Sequence, residues 1–166
     1  MELYCRSEVE TSALAQKMAS ALLRLQQSIT PKTYHLNLAL QGDLGSGKTT
    51  FTRALLGRLG HSGKVKSPTY TLCESYEVSK PVIAIHHFDL YRMRSAREWE
   101  EAGFAEYFLG DEHRCSICLV EWPEKAEGTL PIFDVQIQID YADENQRMFH
   151  LSVASDLGKQ IIAAMS

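Results

Sequence analysis

The sequence predicts an α/β fold with a mixed central sheet, parallel and antiparallel strands together, flanked by helices. Three observations carry that expectation. A glycine-rich octapeptide, Gly42 to Thr49, sits between an alternating apolar run and a segment with helical spacing. Two β-rich runs, 69–78 and 82–88, are separated only by Ser79, Lys80 and Pro81. So short a connection makes an antiparallel hairpin, since a parallel crossover needs about a dozen residues or more. Two further alternating segments, 134–141 and 148–153, are joined by the polar stretch 142–147 and read as a second hairpin.

Taken in order, the first helix begins at Ser7, where Ser7 and Glu10 have the spacing of a capping box. Leu14, Met18, Ala21, Leu22 and Leu25 then recur on one face, the spacing of a helix packed on a core. Residues 30–33 (Thr-Pro-Lys-Thr) form a loop into the first strand, 34–40, in which Leu36, Leu38 and Leu40 alternate. After the octapeptide, Phe51, Leu55 and Leu59 recur every fourth residue, and Gly60 and Gly63 end that helix. Ser95 and Glu98 predict a capped helix running to about Phe108, with Trp99, Ala102 and Tyr107 or Phe108 available for burial. The run 116–121 is a short buried strand, and 155–164 a closing helix.

At 166 residues the chain has the size of one domain, and 45% hydrophobic with 23% charged residues is an ordinary globular balance. A net charge of −4 argues against a stand-alone nucleic-acid binder, although Lys64, Lys66, Arg92, Arg94 and Arg97 could form a local basic face. No run of 18 apolar residues is present and the first residues lack a signal-peptide layout, so a cytoplasmic location away from membranes is expected. Of the four cysteines, Cys115 and Cys118 make a lone C-x-x-C running into an apolar strand. That favours core packing over a metal or redox site.

The octapeptide reads G-D-L-G-S-G-K-T and matches G-x-x-x-x-G-K-[ST] at every fixed position. Gly42, Asp43, Leu44, Gly45, Ser46, Gly47, Lys48, Thr49 and the following Thr50 are therefore candidates to cradle a nucleoside triphosphate. Backbone N–H groups converge on the phosphates, the lysine reaches the outer ones, and the threonine hydroxyl ligates Mg²⁺. The strand-turn-helix order adds the helix N-terminus to the site. Mg²⁺ prefers oxygen ligands, and Asp89 and Glu121 each end a strongly apolar strand, where such acids stand beside the loop. One would hold the metal or its water and the other would orient the attacking water. Pro68 makes Ser67, Pro68 and Thr69 a stiff loop, and the Thr69 hydroxyl could reach the metal or γ-phosphate, although spacing alone favours an ordinary loop. No [NT]-K-x-D tetrapeptide follows the loop, so adenine is preferred to guanine. Trp122 could stack on a base or be buried.

Four segments together resemble the TsaE (also called YjeE) family. They are GDLGSGKTT at 42–50, VKSPTYTL at 65–72, HFDLYR at 87–92 and LVEWPE at 119–124, in the family's order over about half the chain. The resemblance implies a single-domain P-loop NTPase fold over residues 1–166 and a weak Mg²⁺-dependent ATPase that binds ATP and ADP. It implies that Lys48 binds the β- and γ-phosphates, Thr49 and Glu121 associate with the metal, and Asp89 acts in hydrolysis or positions metal-bound water. Thr69 would belong to a nucleotide-sensing loop, Trp122 would lie near the nucleotide, and the stretch from Glu8 to Thr11 would approach the base. Family members work with the TsaB–TsaD pair, in which TsaD transfers threonylcarbamoyl to adenosine in tRNA. This chain would then support or reset that complex and meet tRNA only through it. Read without the resemblance, the motifs also suit a small-molecule P-loop kinase or a nucleotide-gated binding module. The hairpin after the loop, where such kinases carry a helical substrate-binding region, weighs against the kinase.

Overall fold

The computed structural model describes residues 1–29, 33–68 and 70–165; Thr69 and most of the 30–33 loop therefore lie outside the described residues. The strands are β1 Glu2–Cys5, β2 His35–Gln41, β3 Cys73–Ser79, β4 Val82–Asp89, β5 Cys115–Glu121, β6 Val135–Asp143 and β7 Gln146–Val153. The helices are α1 Glu8–Ser28, α2 Lys48–Leu59, α3 Ala96–Ala102 and α4 Asp156–Ala164, with 3₁₀ turns at Phe104–Leu109 and Pro123–Ala126. Among the described residues the strands form one sheet in the order β1-β7-β6-β2-β5-β4-β3. β2 lies at its centre, parallel to both β5 and β6, and β4 runs parallel to β5. The pairs β3–β4, β6–β7 and β1–β7 are antiparallel. The mixed sheet and both expected hairpins are thus present.

The helices cover the sheet unequally. Leu14, Met18, Leu22 and Leu25 of α1 and Phe51, Leu55 and Leu59 of α2 bury into one cluster with Leu36, Leu38, Leu40, Ile85, Ile117 and Leu119. Each such side chain contributes about 1.5–3 kcal/mol when removed from water. The opposite face is a smaller aromatic cluster, with Phe88 packed edge-on against Trp99 and stacked on Phe108. β5 is buried along its whole length, as befits a parallel strand covered on both faces. Cys115 and Cys118, an odd number of residues apart on that strand, fall in different clusters on the two faces of the sheet. The Cys118 thiol donates to the Tyr107 carbonyl at 3.0 Å.

Ser7 caps α1, accepting from the Glu10 amide at 3.3 Å, while the Glu10 carboxylate takes the Arg6 amide rather than that of Ser7. Ser155 caps α4 in the same manner. Three expectations are corrected. The helix expected to reach Phe108 stops at Ala102, because Gly103 adopts φ +71° and the chain continues as a 3₁₀ turn. Trp99 is buried as expected, and so is Phe108 of the Tyr107-or-Phe108 alternative, but Ala102 is exposed. The third strand starts at Cys73 and not near 69: the Leu72 amide bonds the Pro68 carbonyl in a turn, and Leu72 sits at φ +59°. Finally, β1 has no counterpart in the sequence reading; its four residues pair with β7, with Cys5 opposite Arg147.

Candidate functional site

β2 delivers the phosphate-binding loop to the C-terminal end of the parallel strands. The loop turns through left-handed residues at Gly42, Gly45 and Gly47. At Gly42 a Cβ would stand 2.4 Å from the Ile139 carbonyl oxygen, so no other residue fits beneath β6. Gly47 precedes α2 without any side-chain cap, leaving the helix N-terminus facing the cleft with its unsatisfied N–H groups and partial positive charge. Lys48, the first residue of α2, is only 5% exposed. Its ammonium donates to the Gly42 carbonyl at 2.6 Å and the Asp43 carbonyl at 2.9 Å, and lies 3.9 Å from the Trp122 ring centre. Burial pushes the Lys48 pKa down, opposed by the nearby carboxylates of Glu121, Glu124, Asp89 and Asp43.

Parallel pairing sets the two acids side by side. Asp89 stands opposite Glu121 in the β4–β5 register, and Glu121 stands opposite Leu40, two residues before Gly42. Both are almost fully buried. The two oxygens of Glu121 have different surroundings. Oε1 accepts from Thr52 Oγ1 at 3.0 Å and from His87 Nε2 at 2.9 Å, while Oε2 faces the Thr49 hydroxyl at 3.4 Å. The Asp89 carboxylate accepts the Ser67 hydroxyl on one oxygen and the Tyr91 amide, at 3.0 Å, on the other. A cleft of about 330 Å³ opens over these groups, lined by Gly45, Gly47, Thr49, Asp89, Glu121, Trp122 and Arg92 among others.

The oxygen donors suit Mg²⁺. Thr49, Glu121 and Asp89 offer a hydroxyl and two carboxylates at one cleft, and among the described residues no group of three His, Cys, Asp or Glu could cage an ion without help. That is the sparse protein contribution expected where Mg²⁺ keeps waters and substrate phosphate oxygens as its other ligands.

His87 and Thr52 are absent from the sequence-derived site, yet they hold Glu121. Both had a legible signal. His87 is two residues before Asp89 on one strand, hence on the same face, and Thr52 is one turn beyond Lys48. His87 is fully buried, and its Nδ1 has no hydrogen-bond partner among the described residues. The carboxylate acceptor therefore takes the proton on Nε2.

A second cavity of about 270 Å³ lies on the other side of the loop, lined by Glu8, Thr11, Gly45 to Gly47, Thr50 and Arg147. Thr50 donates to Glu8 at 3.5 Å, joining the starts of α1 and α2. Trp122 does not share this cavity; it lies against Lys48 and tilts over Tyr91, with ring centres 4.9 Å apart. Leu44, Gly45, Gly47 to Thr50, Asp89, Glu121 and Trp122 thus gather around one cleft and Glu8, Thr11 and Ser46 around its neighbour; Gly42 and Asp43 line neither and instead accept the Lys48 ammonium on their carbonyls, while Thr69 falls outside the described residues.

A glycine loop between a central parallel strand and its helix, with acids on the neighbouring strand ends, defines the P-loop NTPase class of α/β folds. The family model for the threonylcarbamoyl adenosine biosynthesis protein TsaE matches residues 5–149, and the chain belongs to the TsaE family. It is 44% identical over 163 residues to the tRNA threonylcarbamoyladenosine biosynthesis protein TsaE of Haemophilus influenzae, covering 98% of this chain and 96% of that protein. The corresponding Bacillus subtilis protein is 42% identical over 110 residues, 66% of this chain and 65% of its own. The crystal structure of Bacillus subtilis YdiB superposes with a TM-score of 0.75 at 28% identity, over 99% of this chain and 93% of that one.

Proposed function

We propose that residues 1–166 form one slow, Mg²⁺-dependent ATPase domain that supports or resets the TsaB–TsaD complex making threonylcarbamoyladenosine in tRNA. The observation that carries this reading is the convergence of Lys48, Thr49, Asp89 and Glu121 on one cleft at the ends of parallel strands. Family membership supplies the pathway.

Lys48 and the loop amides bind the β- and γ-phosphates of ATP. Thr49 and Glu121 hold the Mg²⁺, with Asp89 beside them to orient water or a metal-bound water. The ion's contribution is to neutralise charge building on the phosphate oxygens. Thr52 and His87 keep Glu121 Oε1 occupied, so Oε2 is the oxygen directed at Thr49 and the metal. Thr69 senses the nucleotide from its loop. The base lies toward Glu8 and Thr11, in the second cavity, and Trp122 contacts the phosphate end. Adenine is the base, as the missing guanine-reading tetrapeptide suggests.

Two features support slow intrinsic turnover. Arg92 lines the cleft, but its guanidinium lies over the Tyr70 ring, 4.6 Å from the centre. Both Asp89 oxygens are engaged by Ser67 and the Tyr91 amide. A partner that redirected these groups would complete the site, a gain on the order of 10³ or more when an arginine is supplied. The net charge of −4 is consistent with meeting tRNA only through the complex. No helix among the described residues is long and apolar enough to cross a membrane.

The test is ATP hydrolysis with and without the TsaB–TsaD pair, run alongside tRNA modification. Acceleration by the pair and loss of modification without this protein are expected. A rate indifferent to the pair refutes partner activation, and transfer of phosphate to a small metabolite in excess of hydrolysis refutes the ATPase reading.

A further inference from the structure

The β6–β7 hairpin makes direct contact with the phosphate loop, about 100 residues away in sequence. Tyr141 Oη donates to the Leu44 carbonyl at 2.9 Å. Arg147 donates from Nε to the Ser46 carbonyl at 3.1 Å and from Nη2 to the Gly45 carbonyl at 3.3 Å. Its Nη1 is spent on the hairpin's own carbonyls of Asp143, Glu144 and Gln146. Tyr141 and Arg147 are cross-strand partners in the register, and the guanidinium carbon lies 4.0 Å from the Tyr141 ring centre. The two side chains therefore form one unit, braced by a cation–π contact.

Three successive carbonyls of the loop are thus held from behind. A trans peptide points its N–H away from its C=O, so anchoring the carbonyls of residues 44, 45 and 46 turns the N–H groups of 45, 46 and 47 to the opposite side. The Ser46 N–H is used within the loop, on the Asp43 carbonyl at 3.0 Å. Gly45 and Gly47 line the main cleft, where their N–H groups can meet an anion. A donor on a carbonyl also polarises the N–H of the same peptide, and here one of those donors is a cation. Gly45 shows how close the fit is. It occupies a position the octapeptide pattern leaves open, yet it has φ +77° and a Cβ there would stand 2.8 Å from Tyr141 Oη.

We infer that the β6–β7 hairpin clamps the phosphate loop in its anion-binding shape, with Tyr141 and Arg147 as positioning residues for the nucleotide's β-phosphate. The inference rests on the nucleotide-binding reading above; Arg147 also lines the cavity assigned to the base, whereas Tyr141 does not, so Tyr141 isolates the loop contact.

The test compares ADP with AMP, because a loop that grips the β-phosphate matters to the first and not to the second. Calorimetric titrations would be run on the wild type, Tyr141→Phe and Arg147→Met, each checked for an unchanged circular dichroism spectrum. Removal of one oxygen in Tyr141→Phe keeps that variant folded whatever the fate of the second. Each variant should bind ADP about tenfold more weakly, the scale of one lost hydrogen bond to an ordered site. AMP affinity should stay within about twofold in Tyr141→Phe, since AMP carries no β-phosphate for the loop to grip. Amide exchange at Gly45 and Gly47 should quicken in the ligand-free variants. Equal losses for AMP and ADP would make Arg147 a base contact and overturn the clamp, as would ADP binding unchanged in both variants. A wild type that binds neither nucleotide sinks the nucleotide reading itself.

Discussion

Replacing His87 with leucine tests how the buried acid is held. His87 and Glu121 have side-chain exposures of 0% and 2%, and 2.9 Å separates Nε2 from Oε1. Water cannot take the place of the lost N–H at such a site, so the carboxylate would be left with the Thr52 hydroxyl alone on that oxygen. A hydrogen bond to a charged acceptor contributes about 1.5–3 kcal/mol. Leucine also alters packing, so the single variant confounds two effects. A double-mutant cycle of His87→Leu with Glu121→Ala, which removes the acceptor, measured by urea denaturation, cancels the packing contribution. The coupling energy should be about 1.5–3 kcal/mol, the value for that one bond. In the same His87→Leu variant, ATP hydrolysis should fall while ADP binding persists, because Glu121 loses its aim and the phosphate loop does not. A coupling below about 0.5 kcal/mol, the usual scatter of additivity, would refute the argument that His87 fixes Glu121.

Three more expectations follow from the same geometry. Lys48→Ala should weaken ADP and ATP binding by about a hundredfold or more, on the scale of losing charge-assisted hydrogen bonds to phosphate, as read by titration. Asp89→Ala and Glu121→Ala should lower the hydrolysis rate by about 10²-fold or more with binding far less affected; wild-type turnover in both would remove them from the mechanism. Stability should depend on pH through His35 and His86. Burial pushes both pKa values below the ordinary histidine value, against weaker opposing effects of Asn37 and Asp134 on His35, while Arg114 adds to the shift of His86. The unfolded chain then takes up protons first as pH falls through about 6.5, so stability is full above that value and is lost below it. Thermal midpoints from pH 8 to 5 should show this, and His86→Gln should flatten the curve; an unaltered slope would contradict the assignment.

The sequence made the site's centre legible because local chemistry dictates it. The glycines of the loop, the alternating leucines of β2 and the short Ser79–Pro81 connection each reflect constraints acting over a few residues. The acids were found because each ends a strongly apolar strand. What escaped the reading depends on pairing across long separations. β1 is four residues long and half-exposed, and only β7 makes it a strand. Arg147 looked like part of a polar turn until the hairpin register set it behind the loop. The spacing of His87 from Asp89 marks a shared strand face, but its partner is set only when β5 brings Glu121 alongside. Gly103 could have been read as a stop, but the apolar residues beyond it continued a helical spacing that the 3₁₀ turn also satisfies.

Trp122 offers a direct view of the cleft, because its ring touches the lysine that grips the phosphates. Titration of Mg-ATP into the folded protein, followed by calorimetry and by tryptophan fluorescence together, is the measurement closest to the central claim. One saturable site, seen by both signals and abolished or greatly weakened in Lys48→Ala, is the expected result. Well-folded protein that gives neither heat nor a saturating fluorescence change would contradict the account at its base.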